Sequence, residues 1–442
     1  MEHTAWIGDR FVSTLGTDLL ADLTEIGARL GASDGEQRGH DRVMTAFERI
    51  GARNVEQHEF ELTKWERNTA AITTSGTDTP FECIALPGSP AADTSGELIH
   101  LGYGLPEDFE DADLEGAIVV ARSDVPDYHD RWLHRREKYF RAYEAGANAF
   151  VFQNHVEGCL PPTGSVGGGE EVMGPLPAVG VSKEVGEQLR RYADRGHDAT
   201  VEIDVAVSDG TSQNVTAELG PNTEETVLVT AHVDGHDISQ GALDNGSGIA
   251  TVVETGAALA DIEGQLETRV RLIGFGAEEL GLKGSQQYAK TIDTDTVKAI
   301  VNGDGVGRGR NMQVRTCGFD EMGTAMHSVS EAFDHPIQVV PRIAPHSDHW
   351  PFVWRGIPGV QVASDTGSGR GFGHTAADTF DKIDRRAIRT HGVLMADFVR
   401  RLAQSDRDIE PRDPTEIRDE LVADQQDISM RIAGEWPFED ID

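Results

Sequence analysis

The sequence predicts an α/β protein: a mostly parallel sheet sandwiched by helices, with a second, smaller α+β unit inserted ahead of most of that sheet. Three observations carry this. The chain has 442 residues, more than one hydrophobic core usually organises, so two domains are expected. From Asn214 onward, short apolar runs alternate with helix-length segments, the pattern of parallel strands joined by covering helices. Between about Thr79 and Val207 the texture differs, with acidic loops separating short apolar runs and no chemistry-bearing cluster.

Near the N-terminus, Leu19, Leu20, Leu23, Ile26 and Leu30 form one apolar stripe, and Val43, Met44, Phe47 and Ile50 another. The junction Gly31 to Gln37 interrupts them, which predicts two helices. Strand-like stretches follow at 55–62 and 69–73. The inserted unit, at 79–207, has apolar runs at 116–121 and 149–152, helices at 139–145 and 182–192, and the glycine-rich loop Gly164 to Gly169. No lysine-serine pair follows that loop and its surroundings are acidic, so it reads as a plain loop rather than a phosphate cradle. The main domain comprises 1–78 and 208–405. Its strands are expected at 226–231, 268–275, 297–302, 312–316 and 359–363, and its helices near 246–260, 284–291, 323–333 and 385–404. Residues 406–442 read as an acidic tail, peripheral or partly disordered.

The net charge of -37 is spread along the chain. Such a surface repels nucleic acid and anionic membranes and excludes both as partners. Dispersed acid with scarce lysine resembles proteins of salt-loving archaea, where high ionic strength screens the self-repulsion. Cys83, Cys159 and Cys317 are too few and too scattered for a disulfide framework or a zinc knuckle and read as buried free thiols of a reducing compartment. Met1 to Arg10 contain no basic segment followed by an apolar one, and no run is long enough to span a bilayer, so a soluble, cytoplasmic protein is expected.

Candidate ligands fall where predicted strands end, the place where open α/β sheets put their sites. His232 and Asp234 close the strand from Thr226, and residues two apart in an extended chain share a face. A carboxylate can thus stand beside the imidazole. Asp244 follows in a glycine-flanked loop, Glu278 and Glu279 follow the strand ending at Phe275, Asp304 follows 299–301, and His374 lies in the loop 371–379. Singly, each has an ordinary reading as a turn, a solvated pair or a hydrogen-bonded histidine. Together they suit a pair of borderline cations such as zinc, with one carboxylate bridging.

The elements His232 to Asp234, Gly241 to Gly248, Glu278 to Ser285, Gly303-Asp304, Ser347 to Pro358 and Gly373 to Thr379 resemble, in order and content, the co-catalytic zinc aminopeptidases of family M28. The spacing of twelve positions from His232 to Asp244 is most similar to the carboxypeptidase Q branch. Residues from about Thr79 to Val207 resemble the protease-associated (PA) domain. The resemblance implies a zinc exopeptidase fold acting on peptides with two zinc ions, cobalt or manganese being tolerated by similar ligands. It places His232 and Asp304 on one metal, Glu279 and His374 on the other, and Asp244 between them. Asp234 then orients His232, and Glu278 is the general base. In such sites two metals roughly 3.5–4 Å apart polarise the scissile carbonyl and acidify a shared water, while a neighbouring carboxylate moves the proton.

One departure concerns the oxyanion. Related enzymes often place a tyrosine directly before the last histidine or a few residues before the Ser-Asp-His element, and this chain has Gly373 and Ala344 there. His346, His349 and Arg342 are the candidate substitutes. The alternatives to an aminopeptidase are a carboxypeptidase or dipeptidase of the carboxypeptidase Q type, a non-catalytic binding protein on the same fold, and a one-zinc cyclase. The last two are disfavoured because no metal ligand is missing.

Overall fold

The computed structural model describes residues 5–365, 371–407 and 409–439. The first four residues and the last three, on which the N-terminal and tail readings partly rest, lie outside them. The chain divides into two compact units, one of 1–61, 211–373 and 377–418, the other of 62–210, 374–376 and 419–442. The strands Arg53–Thr74 and Asp198–Leu219 each run from one unit into the other.

In the first unit the strands Thr226–His232, Arg269–Phe275, Val297–Gly303 and Gly359–Ser364 are mutually parallel neighbours, with Arg269–Phe275 next to Thr226–His232 and Val297–Gly303 on its other side. Two antiparallel strands flank this block, Met312–Arg315 at one side and the end of Asp198–Leu219 at the other. The sequence did not predict Ile337–Val340, which pairs with Met312–Arg315. It is four residues long and only half-buried, too short for a readable period. The central strand is buried at every position, as a parallel strand covered on both faces must be. The helix Ser247–Asp261 is buried almost throughout, and Arg385–Leu402 buries Ile388, Leu394, Met395, Phe398 and Leu402. On the other face Leu228, Ile273, Phe275, Ile300 and Phe352 form a core cluster. The N-terminal apolar stripes form the helices Leu15–Ile26 and Asp34–Arg49, the second capped by Ser33, whose hydroxyl accepts from the Glu36 amide.

The second unit has a parallel run Ala92–His100, Ile118–Arg122, Ala149–Gln153 and Ala178–Val181. Its core gathers Phe109, Val119, Tyr139, Phe150 and Leu176, and the Tyr139 hydroxyl donates to the Leu176 carbonyl at 2.8 Å. The expected tail contains two helices, Pro414–Ala423 and Gln426–Ile432, and the expectation of a partly disordered segment is corrected there. Met430, Trp436 and Phe438 are buried, and apolar anchors of this kind outweigh the acidic composition. The Gly169 amide donates to the Ala433 carbonyl at 2.9 Å, so the glycine-rich loop serves close backbone packing. Among the described residues no helix is long and apolar enough to cross a membrane. The expectation of buried thiols is met at Cys83 and Cys317 but not at the exposed Cys159.

Candidate metal centre

The carboxyl ends of three adjacent parallel strands deliver the site of the first unit. His232 is the last residue of its strand and stands in register with Phe275. Beyond Phe275 the chain turns sharply through Gly276 and Ala277. A Cβ at Gly276 would lie 2.4 Å from the Ser212 hydroxyl, and Ala277 has φ 51°, a conformation that non-glycine residues rarely adopt. Glu36 holds this turn from the neighbouring helix: its carboxylate accepts from the Ala277 amide at 2.8 Å, the Ser212 hydroxyl at 2.8 Å and the Ala32 amide at 2.7 Å. The turn swings Glu278 and Glu279 off the strand axis toward His232.

Asp234, fully buried, joins the two strand ends. Its Oδ1 lies 3.3 Å from His232 Nδ1 and accepts from the Glu278 amide at 3.1 Å, while Oδ2 accepts from the Glu279 amide at 3.1 Å. His232 Nε2 faces the other way, 3.4 Å from Asp244 Oδ1 and 4.0 Å from both Glu278 Oε2 and Asp304 Oδ1. One atom each of His232, Glu278 and Asp304 lies within 4.8 Å of the others, a spacing that a single cation can serve. A second pair stands nearby: His236 Nε2 is 2.8 Å from Glu279 Oε2, and both side chains are buried. His374, in the segment 374–376 that packs with the second unit, directs Nδ1 to the Thr163 carbonyl at 3.1 Å, leaving Nε2 as its donor atom.

The electrostatics are those of a buried acidic cluster around one imidazole. Burial pushes the Glu278 carboxyl well above the usual carboxylate range, with Glu279, Asp348 and Asp304 adding to the rise. Burial works against a charge on His232, but Glu278, Asp234 and Asp244 outweigh it and raise its pKa well above the ordinary value. Asp348, fully buried behind the cluster, is pushed up to about 7, first by burial and then by Asp234 and Asp304.

Several supporting residues escaped the sequence reading. Asp378 accepts from the Leu243 amide at 2.7 Å and the Asp244 amide at 3.0 Å, fixing the turn that presents Asp244. Gly241 enters that turn at φ 54°, and the Asp244-Asn245 peptide is cis. A Cβ at Gly248 would come within 2.6 Å of the Gly303 carbonyl, so helix and strand end can approach only with glycine there. Asp304 Oδ2 accepts from Ser347 at 2.6 Å; Ser347 accepts from Asn302, and Asn302 accepts from Thr230. That chain leaves Oδ1 of Asp304 facing His232. His236 had a visible signal, an imidazole four residues after His232 in the same loop; Asp378 and Ser347 lie in the quoted elements Gly373 to Thr379 and Ser347 to Pro358 but were given no role there, and Asn302 has no signal until the chain folds. Of the suggested oxyanion donors, His349 is fully buried and pushed down to about 3 by burial and by Arg315, so its ring is neutral and sealed off. His346 is half-buried and Arg342 exposed.

The sheet, with carboxylates and imidazoles at its strand ends, is an α/β domain of the kind that places a site beyond the carboxyl ends of its parallel strands. Residues 214–399 match the model of peptidase family M28, and residues 93–189 match that of the PA domain. The chain is 30% identical over 287 residues to Aminopeptidase YwaD of Bacillus subtilis, covering 63% of this chain and 58% of the relative, so the chain spans little more than half that protein's length. It is 23% identical over 385 residues to Carboxypeptidase Q of Bos taurus, covering 84% of this chain and 81% of the relative. The structure of BSAP, a zinc aminopeptidase from Bacillus subtilis, superposes with a TM-score of 0.71 at 24% identity, over 90% of this chain and 97% of that one, a likeness of fold.

Proposed function

We propose that this protein is a dizinc metallo-exopeptidase that removes N-terminal residues from peptides. The observation that carries the reading is the convergence of His232, Asp244, Glu278 and Asp304 at one point beside the His236 and Glu279 pair. Mixed imidazole and carboxylate donors, buried or half-buried, fit borderline cations. His232 and Asp304 would hold one zinc, Glu279 and His374 the other, and Asp244 would bridge them. Zinc bound there would polarise the scissile carbonyl and acidify a shared water.

The protein's own groups divide the remaining work. Asp234 orients His232 through Nδ1 and fixes the backbone of both glutamates. Glu278 takes the water's proton and returns it to the leaving amine. Its side chain is 13% exposed against 3% for Glu279, and a proton carrier needs that access whereas a ligand does not. An acidic cleft also favours the cationic α-amine of a peptide N-terminus.

The test combines metal analysis with hydrolysis of aminoacyl amides at high salt, with and without chelator, and with free and N-acetylated peptides compared. Cleavage restricted to free amines supports the aminopeptidase. Equal cleavage of acetylated peptides supports the second reading, a carboxypeptidase of the carboxypeptidase Q type, which the alignment over 84% of this chain favours. Chelator-insensitive hydrolysis refutes both.

A further inference from the structure

We infer that His236 is a further protein ligand of the metal held by Glu279, an inference that rests on the dizinc reading above. His236 is 3% exposed, and its Nε2 stands 2.8 Å from Glu279 Oε2. Neither group is free to wander. The Glu279 backbone is tied to Asp234 Oδ2. The loop bearing His236 is fixed from both sides by Arg29, whose carbonyl accepts from the Gly235 amide and whose guanidinium donates to the carbonyls of Val233 and Gln240. His236 is therefore presented to Glu279 by a loop that Arg29 holds at three points. A buried imidazole beside a buried carboxylate, at the edge of a site already holding several acids, is the donor pair that borderline cations select.

The consequence is an asymmetric centre. With His374, the Glu279 metal gains two imidazoles and one terminal carboxylate, while its neighbour has one imidazole among carboxylates. The first set is the more zinc-selective and the second the more tolerant of manganese. X-ray absorption on the full-length protein loaded with two zinc ions at high salt decides the matter, because outer-shell scattering counts imidazoles. Three histidine ligands give about 1.5 imidazoles per zinc in the wild type, falling to about 1 in His236→Gln. A wild-type count of about 1, unchanged in the variant, overturns the inference while leaving the dizinc reading intact. A protein that takes up no zinc overturns both. Should His236→Gln fail to fold, as shown by near-UV circular dichroism, the wild-type count still decides.

Discussion

Replacing Arg29 by methionine removes the side chain that ties the loop 233–241 to the N-terminal helices. The guanidinium is fully buried and donates to the carbonyls of Val233 at 3.1 Å, Leu23 at 2.8 Å, Gln240 at 2.8 Å and Gly241 at 2.9 Å. Burial lowers its pKa to about 10, with Asp234 and Asp378 opposing the fall, so it is charged at neutral pH. Hydrogen bonds from a charged donor are worth about 1.5–3 kcal/mol each. Burying the guanidinium costs several kcal/mol in return, and methionine recovers about 1–2 kcal/mol of apolar burial. The net expectation is a loss of about 3–5 kcal/mol, much of it from carbonyls of Val233, Gln240 and Gly241 left unpaired. Because Asp234 and His236 lie between those carbonyls, zinc affinity should fall about 10–100-fold as well. Urea unfolding at fixed high salt, with and without zinc, measures both. A variant within about 1 kcal/mol of the wild type, with unchanged zinc affinity, would refute the clamp.

Four further outcomes are expected. Glu278→Gln should keep both metals and lose about 10²–10⁴-fold in kcat; near wild-type turnover with two bound metals rules out the general base. Asp244→Asn should weaken both metals together, and loss of only one in a metal titration shows the bridge assignment to be wrong. His40, fully buried, has its pKa lowered to about 4 by burial and by Arg29, against a hydrogen bond to the Glu36 carbonyl. The folded protein thus binds fewer protons than the unfolded chain between pH 4 and 6.5, and stability relative to His40→Gln should drop by about 3 kcal/mol as pH falls through that window; parallel curves for the two proteins contradict this. With a net charge of -37, the protein should lose cooperative structure on dialysis into low salt, and a protein that stays folded and active there is not salt-adapted.

The strands and helices of the main sheet were legible because their lengths and periods are local properties. Thr226 to Thr230 is an unbroken apolar run, and the helices at 247–261 and 385–402 begin and end within a few residues of the sequence expectation. His232, Glu278, Glu279 and Asp304 could be placed near one another because each lies at or just beyond a strand end, and strand ends converge in a parallel sheet. The tail was misjudged because acidity is a property of composition, while Trp436 and Phe438 become anchors only once a surface exists to receive them.

Sequence alone determined that the backbone would bring His232, Glu278 and Asp304 to one edge, since pleat and strand order leave little choice. Tertiary structure decided how those side chains are held. Asp234 clasps two glutamate amides from a different strand, Asp378 reaches 134 residues back to the Asp244 amide, Arg29 pins a loop more than 200 residues away, and His236 meets Glu279. None of these pairings has a period or a spacing, because hydrogen bonds between distant segments are set by where the packed core puts them.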